Sequence, residues 1–179
     1  MKTYAKIDII SMIQQFTAVD SVGVSAMRNQ GPGVLKAVHR YLGHLQLDDI
    51  PVKSEKEFGV WLAGKTEGLI RAMPLDTRPW GTARKALNLF LRGCLYNYYL
   101  RRHYRLDHIE HSLEIPLDNV TANALKREAG RGRLPRWPGL KHLRKRTSDK
   151  FQAYAQAYSE SVGLPTRIFV DNYLWLKNR

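Results

Sequence analysis

Apolar side chains recur every three or four residues along almost the whole chain, and this period constrains the fold more than any other feature. It is clear in residues 7–16, 34–42 and 87–99. A helix with this spacing buries one face, whereas a half-buried strand needs apolar and polar residues in strict alternation. No segment alternates convincingly. The sequence therefore predicts an all-α protein in which residues 1–179 form a single helical domain.

Capping residues predict where several of these helices begin. Ser54 and Glu57 have the spacing of a capping box, and residues 69–73 predict a separate short helix after that one. The longest helix is expected from about Thr82 to Tyr104, and Asp118 is well placed to cap a later helix. The domain is accordingly divided into a central segment, residues 76–125, a basic loop, residues 126–146, and C-terminal helices, residues 147–179.

The charge balance restricts the partners. The chain has 29 Lys and Arg against 16 Asp and Glu, a formal net charge of +13. A protein this basic attracts polyanions, and phosphate contacts release counterions from DNA. Charge alone leaves nucleic acid, a membrane surface and ribosome-like partners open. Together with the hairpin-like motif at residues 81–85 it favours double-stranded DNA as the partner, and we expect a cytoplasmic, nucleoid-associated location.

The sequence also predicts several absences. The chain has one cysteine, Cys94, which excludes an internal disulfide and a four-cysteine metal site. The pair His108 and His111 has helical spacing but lacks a third ligand, so we predict no metal site and no cofactor. The start of the chain lacks a signal-peptide pattern, and no run of eighteen apolar residues predicts a membrane span.

The basic loop concentrates the positive charge. Residues 126–146 contain nine Lys and Arg and one acidic residue, with Trp137 among them. Cations interleaved with an aromatic ring suit phosphate contacts beside one stacking surface. A solvated, charged loop is the alternative interpretation. The candidate DNA contacts in this loop are Arg131, Arg133, Arg136, Lys141, Arg144, Lys145 and Arg146.

Two short motifs in the central segment carry the candidate chemistry. The first, Gly81-Thr82-Ala83-Arg84-Lys85, leads into the longest predicted helix, and the second, Ile115-Pro116-Leu117-Asp118, leads into the next. In this order they resemble the two hallmarks of helix-hairpin-helix DNA glycosylases, a Gly-x-Gly-x-Lys turn and an apolar-Pro-apolar-Asp stretch. The resemblance covers about a quarter of the chain. It implies a compact, multi-helix fold of the glycosylase type.

The resemblance also implies roles for individual residues. Lys85 would be the nucleophile that attacks the sugar and forms a Schiff base, and Asp118 would stabilise the positively charged sugar. The turn would bind a DNA phosphate through closely approaching backbone N–H groups and a helix N-terminus. Its contact residues would be Gly81, Thr82, Ala83 and Arg84, with Trp80 as a candidate pocket residue beside them. The function implied is excision of a damaged or modified base, with or without strand cleavage.

Three departures from the family pattern leave alternatives open. Ala83 stands where the second hairpin glycine is usual, and Asn119-Val120 follows the aspartate in place of Thr-His. The connection from Lys85 to Asp118 is longer than in endonuclease III and is similar to that of archaeal 8-oxoguanine glycosylases. We favour an enzyme. A non-enzymatic DNA-binding module with the same fold and a basic protein-interaction subunit are the alternatives, and in either Lys85 and Asp118 would be ordinary helix-start residues.

Overall fold

All regular secondary structure in the part of the chain described by the computed structural model, residues 8–51, 54–76 and 79–177, is helical, which confirms the predicted class. Three short 3-10 turns, Leu106–Ser112, Leu140–His142 and Arg167–Phe169, connect the longer elements. The α-helices are α1 Ile9–Ser21, α2 Val34–Gly43, α3 Glu55–Ala72, α4 Trp80–Tyr96, α5 Tyr98–His103, α6 Asn119–Ala129, α7 Lys145–Ser161 and α8 Val170–Lys177.

Side-chain caps fix two of the helix starts that the sequence predicts. Ser54 Oγ accepts a hydrogen bond from the Glu57 amide at 3.2 Å at the start of α3. Asp118 Oδ1 accepts hydrogen bonds from the amides of Val120 and Thr121, at 2.9 and 3.0 Å, at the start of α6. Both caps satisfy amide groups that have no partner within the helix.

Two predicted helix boundaries are wrong. The long helix expected from Thr82 to Tyr104 is two helices, because Asn97 interrupts it and its side chain accepts hydrogen bonds from the amides of Tyr99 and Leu100 in the next helix. Conversely, residues 69–73 do not form a separate helix, since α3 runs without interruption from Glu55 to Ala72. The helical period continues across Asn97, so periodicity alone does not reveal the break.

The buried apolar side chains form two cores that meet along α4. The larger core is built from α1 to α5, with Leu42 and Phe90 fully buried in it. The smaller core is built mainly from α6, α7 and α8 around Phe151. Trp80, at the start of α4, packs against the smaller core, whereas the helix from Ala83 onward is buried in the larger one.

Among the described residues, no helix combines the length and the apolar character needed to cross a bilayer.

Candidate active site and basic surface

Lys85 and Asp118 form an ion pair between α4 and the start of α6. Lys85 Nζ lies 3.1 Å from Asp118 Oδ2 and 3.4 Å from the carbonyl oxygen of Ala26. The other carboxylate oxygen of Asp118 is the cap of α6, so the group is held from two sides. The structure thus brings together the two residues that the sequence motifs single out.

The surroundings of the pair favour a charged carboxylate. Burial alone would raise the pKa of the Asp118 carboxyl, because a low dielectric disfavours charge. The Lys85 ammonium and the amide groups of Thr121 and Val120 outweigh burial and hold this pKa below its ordinary value. Asp118 is therefore an anion in neutral solution and can stabilise a positive charge that develops near it.

The pair lies on the wall of a cleft of about 940 Å³ between the two cores. Its walls are the end of α1 and the turn that follows, one face of α4, the start of α6, and α8. The volume is in the range of small-molecule sites, which is about 300 to 1,000 Å³. The charged groups on these walls balance, three cations against three anions. They are Lys85, Arg92 and Arg127, and Asp20, Asp118 and Asp171.

The equal numbers of cations and anions on the cleft wall affect which ligand the cleft can bind. A cleft without excess positive charge has no general attraction for a phosphate group, unlike the strongly basic protein that surrounds it. Trp175 of α8 is half exposed and adds an aromatic surface to the wall. The interior therefore suits an uncharged, planar and polar group better than an anion.

A second ion pair, farther along the cleft, joins α4 to α8. Arg92 Nη1 donates a hydrogen bond to Asp171 Oδ2 of α8 at 2.7 Å. The hydroxyl group of Thr121 donates to the other oxygen of Asp171 at 2.6 Å. Arg92 also donates to the Asn172 side chain at 3.3 Å. Side chains on the cleft wall thus link α4 to α8 and α8 to α6, close to Lys85.

The residues assigned to a phosphate-binding turn lie in the interior, which corrects that assignment. Gly81, Thr82 and Ala83 belong to α4 itself and are buried. At Gly81 the carbonyl oxygen of Leu140 approaches so closely that an added Cβ would lie 2.3 Å from it. No space remains there for a phosphate group. Ala83 is helical, so its backbone does not require a glycine.

The Arg84 side chain is likewise turned inward and is not accessible to a phosphate group. It is 3% exposed, donates to Thr66 Oγ1 at 2.8 Å, and has its Nε atom 3.1 Å from a carboxylate oxygen of Glu114. Its guanidinium group also lies over the Trp80 ring, 5.3 Å from the ring centroid. Trp80 is therefore a packing partner of Arg84 and is not among the residues that line the cleft.

The basic loop, by contrast, presents its cations to solvent. All seven predicted DNA-contacting side chains of residues 126–146 are exposed. The loop itself is shorter than predicted, because residues 126–129 end α6 and residues 145 and 146 begin α7. Lys145 pairs with Asp149 at 2.8 Å. The other six, Arg131, Arg133, Arg136, Lys141, Arg144 and Arg146, form no ion pair with any carboxylate in the part of the chain that the structure describes.

The basic loop is anchored beside the ion pair. Trp137 Nε1 donates a hydrogen bond to Asn119 Oδ1 at 2.5 Å, and Asn119 directly follows Asp118. The Trp137 ring also packs edge-on against Phe151 of the smaller core, with the ring centroids 5.5 Å apart. A polyanion bound to this loop would therefore lie close to the mouth of the cleft.

Several residues that line the cleft were not predicted from the sequence. Arg92 stands two helical turns after Lys85 on the same face of α4, so the helical period could have indicated it. Nothing in the sequence could have indicated Asp171 or Trp175, because they come from a helix far along the chain and reach the cleft only through packing.

Comparisons with protein-family profiles, with curated proteins and with solved structures find no match to this chain.

Proposed function

We propose that this protein is a DNA glycosylase that binds duplex DNA and excises a damaged or modified base. The observation that carries the proposal is the pairing of Lys85 with Asp118 at 3.1 Å on the wall of a cleft whose size suits a single extruded nucleotide. An amine next to a carboxylate is the minimum needed to form and stabilise a covalent sugar intermediate. The balanced charge of the cleft also suits a neutral base.

The basic loop supports the choice of DNA as the partner. Six of its cations form no ion pair with a carboxylate of the described residues and are exposed for contact with phosphates, and Trp137 anchors the loop next to Asp118. A nucleotide must leave the base stack before its sugar can reach a buried amine. Phosphate contacts close to the cleft would hold the duplex while one nucleotide rotates into it.

Lys85 and Asp118 together can supply and accept every proton that the proposed reaction moves. Lys85 passes one proton to Asp118, and the amine lone pair attacks the anomeric carbon of the sugar. The glycosidic bond breaks, and the leaving base takes its electron pair and a second proton from the attacking nitrogen. The bond from the anomeric carbon to the ring oxygen then opens, and that oxygen takes the proton held by Asp118. The product is a protonated Schiff base on Lys85 beside an Asp118 carboxylate.

Borohydride trapping tests this proposal, because hydride adds to the Schiff base and makes the protein–DNA bond permanent. Wild-type protein should form a covalent adduct with at least one of a panel of duplexes that each carry one lesion. The Lys85→Gln variant should form none. Lys65→Gln is the matched control, since Lys65 also forms an ion pair, with Asp49 at 3.6 Å, but away from the cleft. An adduct that survives Lys85→Gln, or no adduct with any lesion, would refute the lysine mechanism.

One observation favours a second candidate, a DNA-binding module without catalysis. The Lys85 ammonium lies between a carboxylate and a carbonyl oxygen, which is also how a purely structural lysine would link two helices. In that case Lys85→Gln would lower the stability of the protein, wild type would trap no DNA, and duplex affinity would depend only on the basic loop.

A further inference from the structure

The ion pair of Lys85 and Asp118 links α4 directly to the start of α6, whereas the rest of α6 packs in the smaller core against α7 and α8. Asp118 is the N-cap of α6, so any shift of that helix relative to α4 moves its carboxylate relative to the Lys85 amine. A displacement of about 1 Å at a reacting group can reduce a rate about a hundredfold. A mechanism that depends on this pair therefore gains from a second attachment between α4 and the start of α6.

The structure contains such an attachment, built from three side chains on the cleft wall. The amide of Thr121 donates to Asp118 Oδ1 at 3.0 Å, and the hydroxyl of the same residue donates to Asp171 Oδ1 at 2.6 Å. Arg92 holds the other oxygen of Asp171 at 2.7 Å. Arg92 and Lys85 lie on one face of α4, about 10 Å apart along the helix axis. The start of α6 is thus fixed to α4 at two separated points.

We propose that Arg92, Asp171 and Thr121 are positioning residues, which act together as a clamp that keeps the Asp118 carboxylate in reach of the Lys85 amine. The inference rests on the proposed function, since it assigns the clamp to the same reaction. Asp171 is the central member because it accepts from both of the others. None of the three needs to touch the reacting atoms.

A carboxylate of similar exposure outside the cleft gives a close control. Asp171 has 22% of its side chain exposed, and Glu110 has 19%. Each accepts a hydrogen bond from an arginine; for Glu110 this is Arg101, at 3.5 Å. Glu110→Gln therefore removes the same charge and the same kind of contact as Asp171→Asn, but in the 3-10 segment Leu106–Ser112, outside the clamp and the cleft.

Thr121 offers a second, milder comparison. Thr121→Val removes the hydroxyl group and keeps the shape of the side chain, whereas Thr121→Ser keeps the hydroxyl group. Neither change removes the backbone amide that contacts Asp118. A difference between the two variants would consequently report the hydrogen bond to Asp171 and not the packing of a buried residue.

The experiment has two readouts on the full chain. The first is the single-turnover rate of borohydride trapping with a lesion duplex at saturating protein. The second is the pKa of the Asp118 carboxyl, followed by NMR titration without DNA, which depends on how close the Lys85 ammonium stays. Asp171→Asn and Thr121→Val should both slow trapping by about ten- to a hundredfold. Thr121→Val, which changes no charge, should also raise the Asp118 pKa towards its ordinary value. Thr121→Ser and Glu110→Gln should leave both readouts close to wild type.

The two readouts separate failure of the clamp from failure of the proposed function. If wild type traps DNA and the clamp variants trap it at the Glu110→Gln rate, the clamp is refuted and the glycosylase proposal stands. If wild type traps nothing, the glycosylase proposal fails, and the titration decides the clamp. An Asp118 pKa that is the same in all four variants and wild type would then overturn it.

Discussion

Replacing Arg131, Arg133 and Arg136 together by glutamine should reduce the salt dependence of duplex binding by about half. Six cations of the basic loop are exposed and form no ion pair with any described carboxylate, and each phosphate contact contributes about −0.9 to the slope of log affinity against log salt. If all six contact phosphates, the slope is about −5.4, and affinity falls roughly 2,000-fold between 50 and 200 mM salt. Removal of three contacts leaves a slope of about −2.7 and a roughly 40-fold loss over the same range.

Fluorescence anisotropy with a labelled duplex over a salt series measures this slope. The matched control replaces three exposed cations on α2 and α3, Lys36, Arg40 and Lys56, by glutamine, which removes the same net charge from the helices of the larger core. Its slope should remain near the wild-type value. Equal slopes for the two triple variants would refute the assignment of the basic loop as the DNA-contacting surface, because they would mean that only the overall charge matters.

Two further predictions concern stability. Gly81→Ala should lower the free energy of unfolding by about 1 to 2 kcal/mol, because clashes with the Leu140 carbonyl cost about 1–3 kcal/mol and helix propensity returns at most about 1 kcal/mol. Gly64→Ala in α3, where an added Cβ meets nothing within 4 Å, should stabilise by up to about 1 kcal/mol, and equal effects in urea unfolding would contradict the close packing at Gly81. Asp118→Asn should be less stable than wild type in neutral solution, and the difference should shrink as the pH falls below the ordinary carboxyl pKa of 3.8, since the pKa of Asp118 is depressed in the folded protein. Urea unfolding at several pH values measures this difference, and a gap that persists in acid would exclude the carboxylate as its cause.

The helical class of this protein and several of its helix boundaries could be predicted because they depend on interactions within a few residues. The helical period decides which face of a segment is apolar, and Ser54 and Asp118 cap helices through amides no more than three residues away. The exposure of the basic loop was equally predictable, since seven cations cannot be buried without partners. The break at Asn97 shows the limit, because a local cap interrupts a period that continues across it.

The tertiary structure decided which of these residues share a site. The motif of residues 81–85 looks like an exposed turn in sequence, yet the approach of Leu140 buries Gly81, and Glu114 draws Arg84 inward. The two motifs indicate Lys85 and Asp118 as candidate site residues. Only the tertiary packing of α4 and the start of α6 brings their charged atoms to 3.1 Å. Asp171 joins them from a helix near the other end of the chain. Contacts of this kind depend on how whole helix faces fit together, which no local pattern of residues encodes.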